Sequence, residues 1–205
     1  MMQVLLLAKA PVAGRVKTRL CPPWTPEQAA TVAAAAIADT VAVLSEAPVE
    51  ARTLVADGDL PAPYGWAVVP QRGGGLGERL AAAFADTARP GLSTLLVGMD
   101  TPQLNAGHVR AAADALAQAD AAIGPAEDGG WWGLALRDAS AAAVLRTVPM
   151  STSDTGRLTV AALRGLGLRV AALPALRDVD TAADARAVAA ACPRSRFARA
   201  VAVML

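Results

Sequence analysis

Carboxylates, cations and glycines gather in this chain at the places where short apolar runs end. Leu95-Leu-Val-Gly-Met-Asp-Thr-Pro-Gln-Leu104 puts Asp100 just past an apolar run that suits a buried strand. Gly98 lets the backbone open there. Thr101-Pro102 then stops the strand, because proline has no N–H to donate and constrains the residue before it. In open α/β sheets, ligands bind in the crevice beyond the carboxyl ends of the strands. A carboxylate at that position suits a hard cation such as Mg²⁺, which takes one or two carboxylates together with substrate phosphates. An aspartate there also suits a helix cap or a turn, and these ten residues leave both readings open.

An earlier apolar run, residues 3–8, leads into a loop with four cations, Lys9, Arg15, Lys17 and Arg19, and a glycine. Ammonium and guanidinium groups and free backbone N–H groups after a first strand make a phosphate cradle; the competing reading is a solvated basic loop. The spacing is neither that of a Walker A loop nor that of a dinucleotide fingerprint. Between a third strand and a helix stands Gln71-Arg-Gly-Gly-Gly-Leu-Gly-Glu-Arg-Leu80. Three glycines in a row remove every Cβ, so a ligand can approach the backbone beside Gly74, Gly75 and Leu76 at a helix N-terminus.

Glu127-Asp-Gly-Gly-Trp-Trp132 combines two carboxylates, two glycines and two indoles. A base or sugar stacks well on a tryptophan face. In an extended chain Trp131 and Trp132 point to opposite sides, so at most one meets a given ligand and the other packs in the core. Asp178-Val-Asp180 has the same alternation, and the two carboxylates share a metal only if the chain turns there. Asp180 or Thr181 as a helix cap is the competing reading. His108, the one histidine, falls in the first turn of a helix and reads as a surface residue with no nucleophile beside it.

The elements that must hold these groups are legible as alternating strands and helices. Strands are expected over residues 3–8, 49–56, 66–70, 95–97, 120–125 and 168–173, with a further apolar stretch at 133–136. Continuous rather than alternating apolar runs suit a parallel sheet covered by helices on both faces. Thr25-Pro26-Glu27-Gln28 is a capping box with proline at the first helical position, opening a helix to about residue 44. Further helices are expected from the glycine loop to about 89, from the cap Asn105 to 117, over 139–146, from 151–155 to about 166, and after Thr181. The tail, residues 194–199, is basic and reads as a solvated helix.

With 205 residues, the chain is expected to form one domain, residues 1–205. Aromatics are only 3% of a sequence that is 54% hydrophobic, so the core must be aliphatic. A net charge of +1 without long runs of either sign argues against nucleic-acid binding. Cys21 and Cys192 have no metal-ligand spacing and read as free thiols of a reducing compartment. The first apolar run is too short to span a membrane. A cytoplasmic location is expected, with the oligomeric state left open.

Five segments in order carry a resemblance. They are Ala8-Lys-Ala-Pro-Val-Ala-Gly-Arg-Val-Lys-Thr-Arg-Leu20, Gly75-Leu-Gly-Glu-Arg-Leu80, Val97-Gly-Met-Asp-Thr-Pro102, Asp128-Gly-Gly-Trp-Trp132 and Asp178-Val-Asp-Thr181. Together they resemble the GT-A type nucleotide-diphospho-sugar transferase superfamily. Within it they are most similar to the bacterial radical-SAM/selenodomain-associated glycosyltransferases, themselves similar to phospholactate/phosphoenolpyruvate guanylyltransferases. The resemblance implies an α/β, Rossmann-like fold with a mixed, mostly parallel sheet and helices on both faces. It implies that Arg15, Lys17 and Arg19 hold nucleotide phosphates, with Lys9 beside them, and that the glycine loop approaches the nucleoside. It implies Mg²⁺ or Mn²⁺ on Asp100, Asp178 and Asp180, and substrate contacts from Asp128, Gly129, Gly130 and Trp131. Lys17, Arg19 and Asp100 are thus the expected catalytic residues. Two departures stand out. The Lys-Ala-Pro opening replaces the usual glycine-rich nucleotidyltransferase loop, and the Asp-x-Asp of many glycosyltransferases is absent at Asp100.

The expected activity is nucleotidyl transfer from a nucleoside triphosphate to a small phosphorylated or carboxylate-bearing acceptor, with release of pyrophosphate. Such chemistry depends on positioning and charge neutralisation rather than on a protein nucleophile, and no nucleophile motif is present. Glycosyl transfer from a nucleotide-sugar, with Asp128 or Glu127 as base, and a non-catalytic nucleotide-binding module are the alternatives.

Overall fold

The computed structural model describes residues 1–204. Seven strands form one sheet: β1 (Met2–Lys9), β2 (Ala51–Asp57), β3 (Ala67–Pro70), β4 (Ser93–Gly98), β5 (Ala121–Pro125), β6 (Trp131–Leu136) and β7 (Val170–Ala172). Their order across the sheet is β3-β2-β1-β4-β6-β5-β7. Only β6 runs against its neighbours, β4 and β5; the other pairings are parallel. Six α-helices cover the faces: α1 (Pro26–Glu46), α2 (Leu76–Thr87), α3 (Ala106–Gln118), α4 (Thr155–Gly165), α5 (Ala182–Ala191) and α6 (Arg196–Ala202). The fold is the expected α/β architecture, a mixed and mostly parallel sheet with helices on both faces.

Alternation along the strands builds two cores. Val4, Leu6, Leu95 and Val97 face α1 and α3, where Ile37, Leu44, Val109 and Leu116 meet them. Leu5, Val55, Leu96 and Leu134 face α2, α4 and the 3₁₀ segment Ala139–Thr147, where Leu80, Phe84, Leu145 and Leu163 close the other side. Burial on both faces is why these strands are continuous apolar runs.

The Thr25–Gln28 capping box forms as expected and starts α1 at Pro26. α1 is the one helix among the described residues long and apolar enough to cross a membrane, and half of that apolar window is buried inside the protein. Its composition follows from packing on two sides: toward the sheet through Ala30, Ala33 and Ile37, and away from it through Ala29, Val32 and Ala36.

That second side corrects the reading of the tail. α6 is not a solvated helix, because Phe197 and Val201 are fully buried against α1 and α5. The Asp39 carboxylate on α1 accepts from the backbone N–H groups of Arg196 (3.1 Å) and Phe197 (2.8 Å), anchoring the start of α6. Asp39 is itself almost fully buried. Hydrogen bonds to a charged acceptor are each worth roughly 1.5–3 kcal/mol, so Asp39→Ala is expected to lower stability by about 2–3 kcal/mol. Equilibrium urea unfolding checks this; an unchanged midpoint would detach the tail from the stability of the domain.

Smaller differences have local causes. β7 is three residues long because only Val170–Ala172 pair with β5. His108 is half-buried rather than simply on the surface. Its Nδ1 accepts from the Asn105 backbone N–H at 3.1 Å, completing a capping box, and its ring packs edge-on to Trp132.

Candidate active site

β1 and β4 lie side by side at the centre of the sheet, and the chain leaves them for opposite flanks. Their carboxyl ends therefore form a topological switch point, where α/β sheets open a crevice. The loop after β1 and the residues after β4 meet there. The Val179 N–H donates to the Asp100 carbonyl (2.9 Å), which stitches the late loop onto the end of β4.

Charge converges at this junction. The Lys17 ammonium lies 2.6 Å from Asp100 Oδ1 and 3.7 Å from Asp180 Oδ1, and it donates to the Val179 carbonyl. Arg19 pairs with the other Asp180 oxygen at 3.1 Å. A cavity of about 290 Å³ opens among Lys9, Arg15, Lys17, Arg19, Asp100 and Asp180. All four cations of the first loop thus line the same space as two of the expected metal carboxylates. A larger open groove, about 990 Å³, lies at the opposite, amino-terminal edge between Arg89, Ser93, Leu116 and Arg137. Its charged side chains are exposed and no convergent pair of carboxylates lines it, so chemistry rather than size selects the smaller one.

Residues 178–180 belong to no strand, and the charges of Asp100 and Asp180 both act on the Asp178 carboxyl across the junction. Val179 is buried and Asp180 faces Lys17 and Arg19. Asp178 points inward, where its Oδ1 is buried without a hydrogen-bond partner. Burial first, then the nearby charges of Asp100 and Asp128, push its carboxyl up to about 7; Asp180 adds to this and Lys17 opposes it. Among the described residues no three His, Cys, Asp or Glu side chains already converge tightly enough to chelate a metal. The chemistry of the donor set still fits a hard cation. An orphaned carboxylate oxygen, repelled by its neighbours, is a group that a divalent ion satisfies.

The raised pKa has a sign that can be tested. Folded Asp178 keeps its proton after the unfolded chain has lost it, so its contribution to stability falls as pH rises from 3.8 to about 7 and is level above that. A cation at this carboxylate must expel the proton below pH 7, because metal ligands bind deprotonated. Mn²⁺ affinity is therefore expected to rise about tenfold between roughly pH 6 and pH 8, read by calorimetric titration. A dissociation constant that ignores pH over that range would remove Asp178 from the ligand set.

The acidic turn beyond β5 lies on the same side. The Asp128 carboxylate accepts from the Gly130 N–H at 2.8 Å, and Glu127 pairs with Arg177 at 2.6 Å. Gly129 has φ +91°, and a Cβ there would stand 2.0 Å from the Ser153 carbonyl oxygen. Its own carbonyl accepts from the Gly156 N–H at 2.8 Å, so the turn is clamped onto the start of α4. Trp132 goes to the core, its indole N–H donating to the Pro174 carbonyl. Trp131 takes the other side as alternation requires, but packs partly buried against the second core, with its N–H on Thr159 Oγ1 at 3.2 Å. Neither indole stands free.

The glycine loop ends β3 at the same edge of the sheet, with β2 and β1 between it and Asp100. Gly73 has φ +120°, Gly74 donates its N–H to Glu78 Oε2 (2.7 Å), and Leu76 is exposed at the start of α2. Two neighbours escaped sequence reasoning. Gln71 donates to the carbonyls of Ala8 and Val55, tying the loop to β1 and β2. Arg177 joins the acidic turn to α5 through Glu127 and Asp184. Their only sequence signal was adjacency to a motif.

The family model for uncharacterized proteins conserved in bacteria, DUF2064, matches residues 28–152. The chain belongs to that family. The matched stretch holds the glycine loop, Asp100 and the acidic turn, while Lys17, Asp178 and Asp180 flank it. No curated protein matches the sequence. A solved structure from Desulfovibrio desulfuricans G20, provisionally named a nucleotide-diphospho-sugar transferase, is 28% identical, with a TM-score of 0.87 over 100% of this chain and 94% of that one. The fold is shared at lower identity with CMP:2-keto-3-deoxy-manno-octonic acid synthetase complexed with CTP (13%, TM-score 0.61, 95% and 99% covered). It is shared too with Rv0371c from Mycobacterium tuberculosis H37Rv in complex with manganese (20%, TM-score 0.54, 92% and 98% covered).

Proposed function

We propose that this DUF2064 protein is a divalent-metal-dependent nucleotidyltransferase. It joins the α-phosphate of a nucleoside triphosphate to a small phosphorylated or carboxylate-bearing acceptor and releases pyrophosphate. The observation that carries the reading is the meeting of two opposite charge sets at the switch point, the cations of the first loop and the carboxylates Asp100, Asp178 and Asp180. Polyphosphate needs the first set and a bridging hard cation needs the second. In support, one solved relative of the same fold is a synthetase crystallised with CTP and another holds manganese.

In this reading Lys9, Arg15 and Arg19 hold the triphosphate from the loop side. Asp100, Asp178 and Asp180 hold Mg²⁺ or Mn²⁺, which when bound supplies charge neutralisation at the phosphate oxygens. Gly74, Gly75 and Leu76 approach the nucleoside, and the clamped turn at Asp128, Gly129 and Gly130 borders the acceptor. The phosphorus centre is attacked by the acceptor's own oxygen, so the protein supplies alignment and electrostatics rather than a nucleophile. The finer similarity we propose is to the radical-SAM/selenodomain-associated group and the phospholactate/phosphoenolpyruvate guanylyltransferases. We further propose that residues 1–205 act as one domain in the cytoplasm.

Sugar transfer from a nucleotide-sugar is the second reading, favoured by the name of the Desulfovibrio protein. An inverting enzyme requires a general base, yet Glu127 is paired with Arg177 and Asp128 is engaged by the Gly130 N–H. A thermal-shift panel of nucleoside triphosphates and nucleotide-sugars with Mg²⁺ or Mn²⁺ separates the two readings, since a ligand of the folded form raises its stability by mass action. Metal-dependent stabilisation by one triphosphate over its sugar conjugates is the expected result. Preference for a nucleotide-sugar would replace the proposal with the second reading, and no shift with any ligand would overturn both.

A further inference from the structure

The chain contains only two lysines, Lys9 and Lys17, against a much larger number of arginines. Lys9 closes β1 and Lys17 lies in the loop after it, and they stand in opposite surroundings. Lys9 is exposed, whereas the Lys17 side chain keeps only 10% of its accessible surface. Lys17 also holds a left-handed backbone conformation, φ +48° and ψ +39°, an uncommon state for a residue with a side chain.

The ammonium is held within the protein. Asp100 and the Val179 carbonyl take two of its three donors, and Asp180 stands 3.7 Å away as a further ion-pair partner. At most one donor remains for a phosphate while it sits there. A compact point charge on a flexible stem suits a site shaped for a small cation, and the wide planar fork of arginine does not. The balance around it is incomplete: Lys17 and Arg19 together offset Asp100 and Asp180, and no hydrogen-bond partner meets the buried Oδ1 of Asp178.

We infer that the Lys17 ammonium is the resident counter-ion of the Asp100–Asp178–Asp180 cluster and that a divalent cation exchanges with it, releasing Lys17 into the phosphate cavity. The inference rests on the reading that this cluster takes a divalent cation. It goes further by making the cation and the lysine competitors for the same carboxylates. A single positive charge leaves and a double one enters, so exchange improves neutralisation of the cluster. The freed ammonium joins Lys9, Arg15 and Arg19 in the cavity they line together. Cation binding and the fourth phosphate-binding charge then arise in one event, which couples triphosphate affinity to metal.

With two lysines, amine labelling of the unmodified protein reads the exchange directly. The chain is acetylated with an N-hydroxysuccinimide ester with and without Mn²⁺, in the absence of nucleotide, and peptides are quantified by mass spectrometry. Lys17 is expected to label at least about tenfold faster with Mn²⁺, in keeping with ordinary coupling free energies, while Lys9 serves as the unchanged reference. In parallel, Lys17→Met removes the competitor and is expected to bind Mn²⁺ about tenfold more tightly than the wild type, measured by water-proton relaxation.

If Mn²⁺ binds but Lys17 labelling does not change, the exchange is overturned and the metal reading stands. Equal or weaker Mn²⁺ affinity in folded Lys17→Met overturns the exchange as well. Absence of Mn²⁺ binding to either protein overturns both the exchange and the metal reading. Labelling uses the wild-type chain, so it decides the question even where Lys17→Met fails to fold.

Discussion

Asp100→Asn is expected to lower the proposed metal-dependent turnover by about a thousandfold, the upper end of what loss of one electrostatic group in a preorganised site costs. The substitution keeps the shape of the side chain and removes its charge. Asp100 Oδ1 is the nearest carboxylate oxygen to Lys17, and its backbone carbonyl already accepts from the Val179 N–H. The backbone stitch between β4 and the late loop is therefore expected to survive, and the loss falls on the charge that the assembled site sets against metal and phosphates. Turnover is measured at saturating Mn²⁺ with the triphosphate selected by thermal shift, and circular dichroism confirms the retained fold. Wild-type turnover in this variant would take Asp100 out of the active site.

Gly129→Ala is the largest expected effect on stability, about 3–5 kcal/mol. Two costs combine: a left-handed backbone for a residue with a Cβ, roughly 1–3 kcal/mol, and overpacking, roughly 1–3 kcal/mol. The second is near its upper end here because the Cβ would meet a carbonyl oxygen at 2.0 Å. Backbone cannot rotate away as a flexible side chain does, so the turn must separate from the start of α4. For a chain of this size the melting temperature falls by roughly 10 °C, measured by calorimetry. Gly75→Ala is the control, since its φ is negative and a Cβ there would meet nothing within 4 Å. A melting temperature for Gly129→Ala equal to that of the control would mean the turn is not clamped as described.

These two positions also show how far the sequence reaches. The end of an apolar run followed by Gly-Met-Asp-Thr-Pro was enough to put Asp100 at the tip of β4, because strand burial and proline sterics are local. Gly129 was visible as a turn glycine, but its need to lack a Cβ comes from Ser153, twenty-four residues further on.

The same division holds across the molecule. The sequence by itself determined the order of strands and helices, the caps at Thr25 and Asn105, and the two-faced burial of the sheet. Each of these depends on periodicity or on groups within four residues of one another. It also marked the cations and carboxylates at the carboxyl ends of strands. Tertiary structure alone decided which charges meet. Lys17 turned from the loop it belongs to toward Asp100 and Asp180, while Asp178 was buried without a partner. Trp131 was drawn to Thr159 and the tail was drawn onto α1 by Asp39 and Phe197. Such pairings join residues up to 163 positions apart, from Lys17 to Asp180; their energy depends on burial and distance in space, which no local pattern encodes.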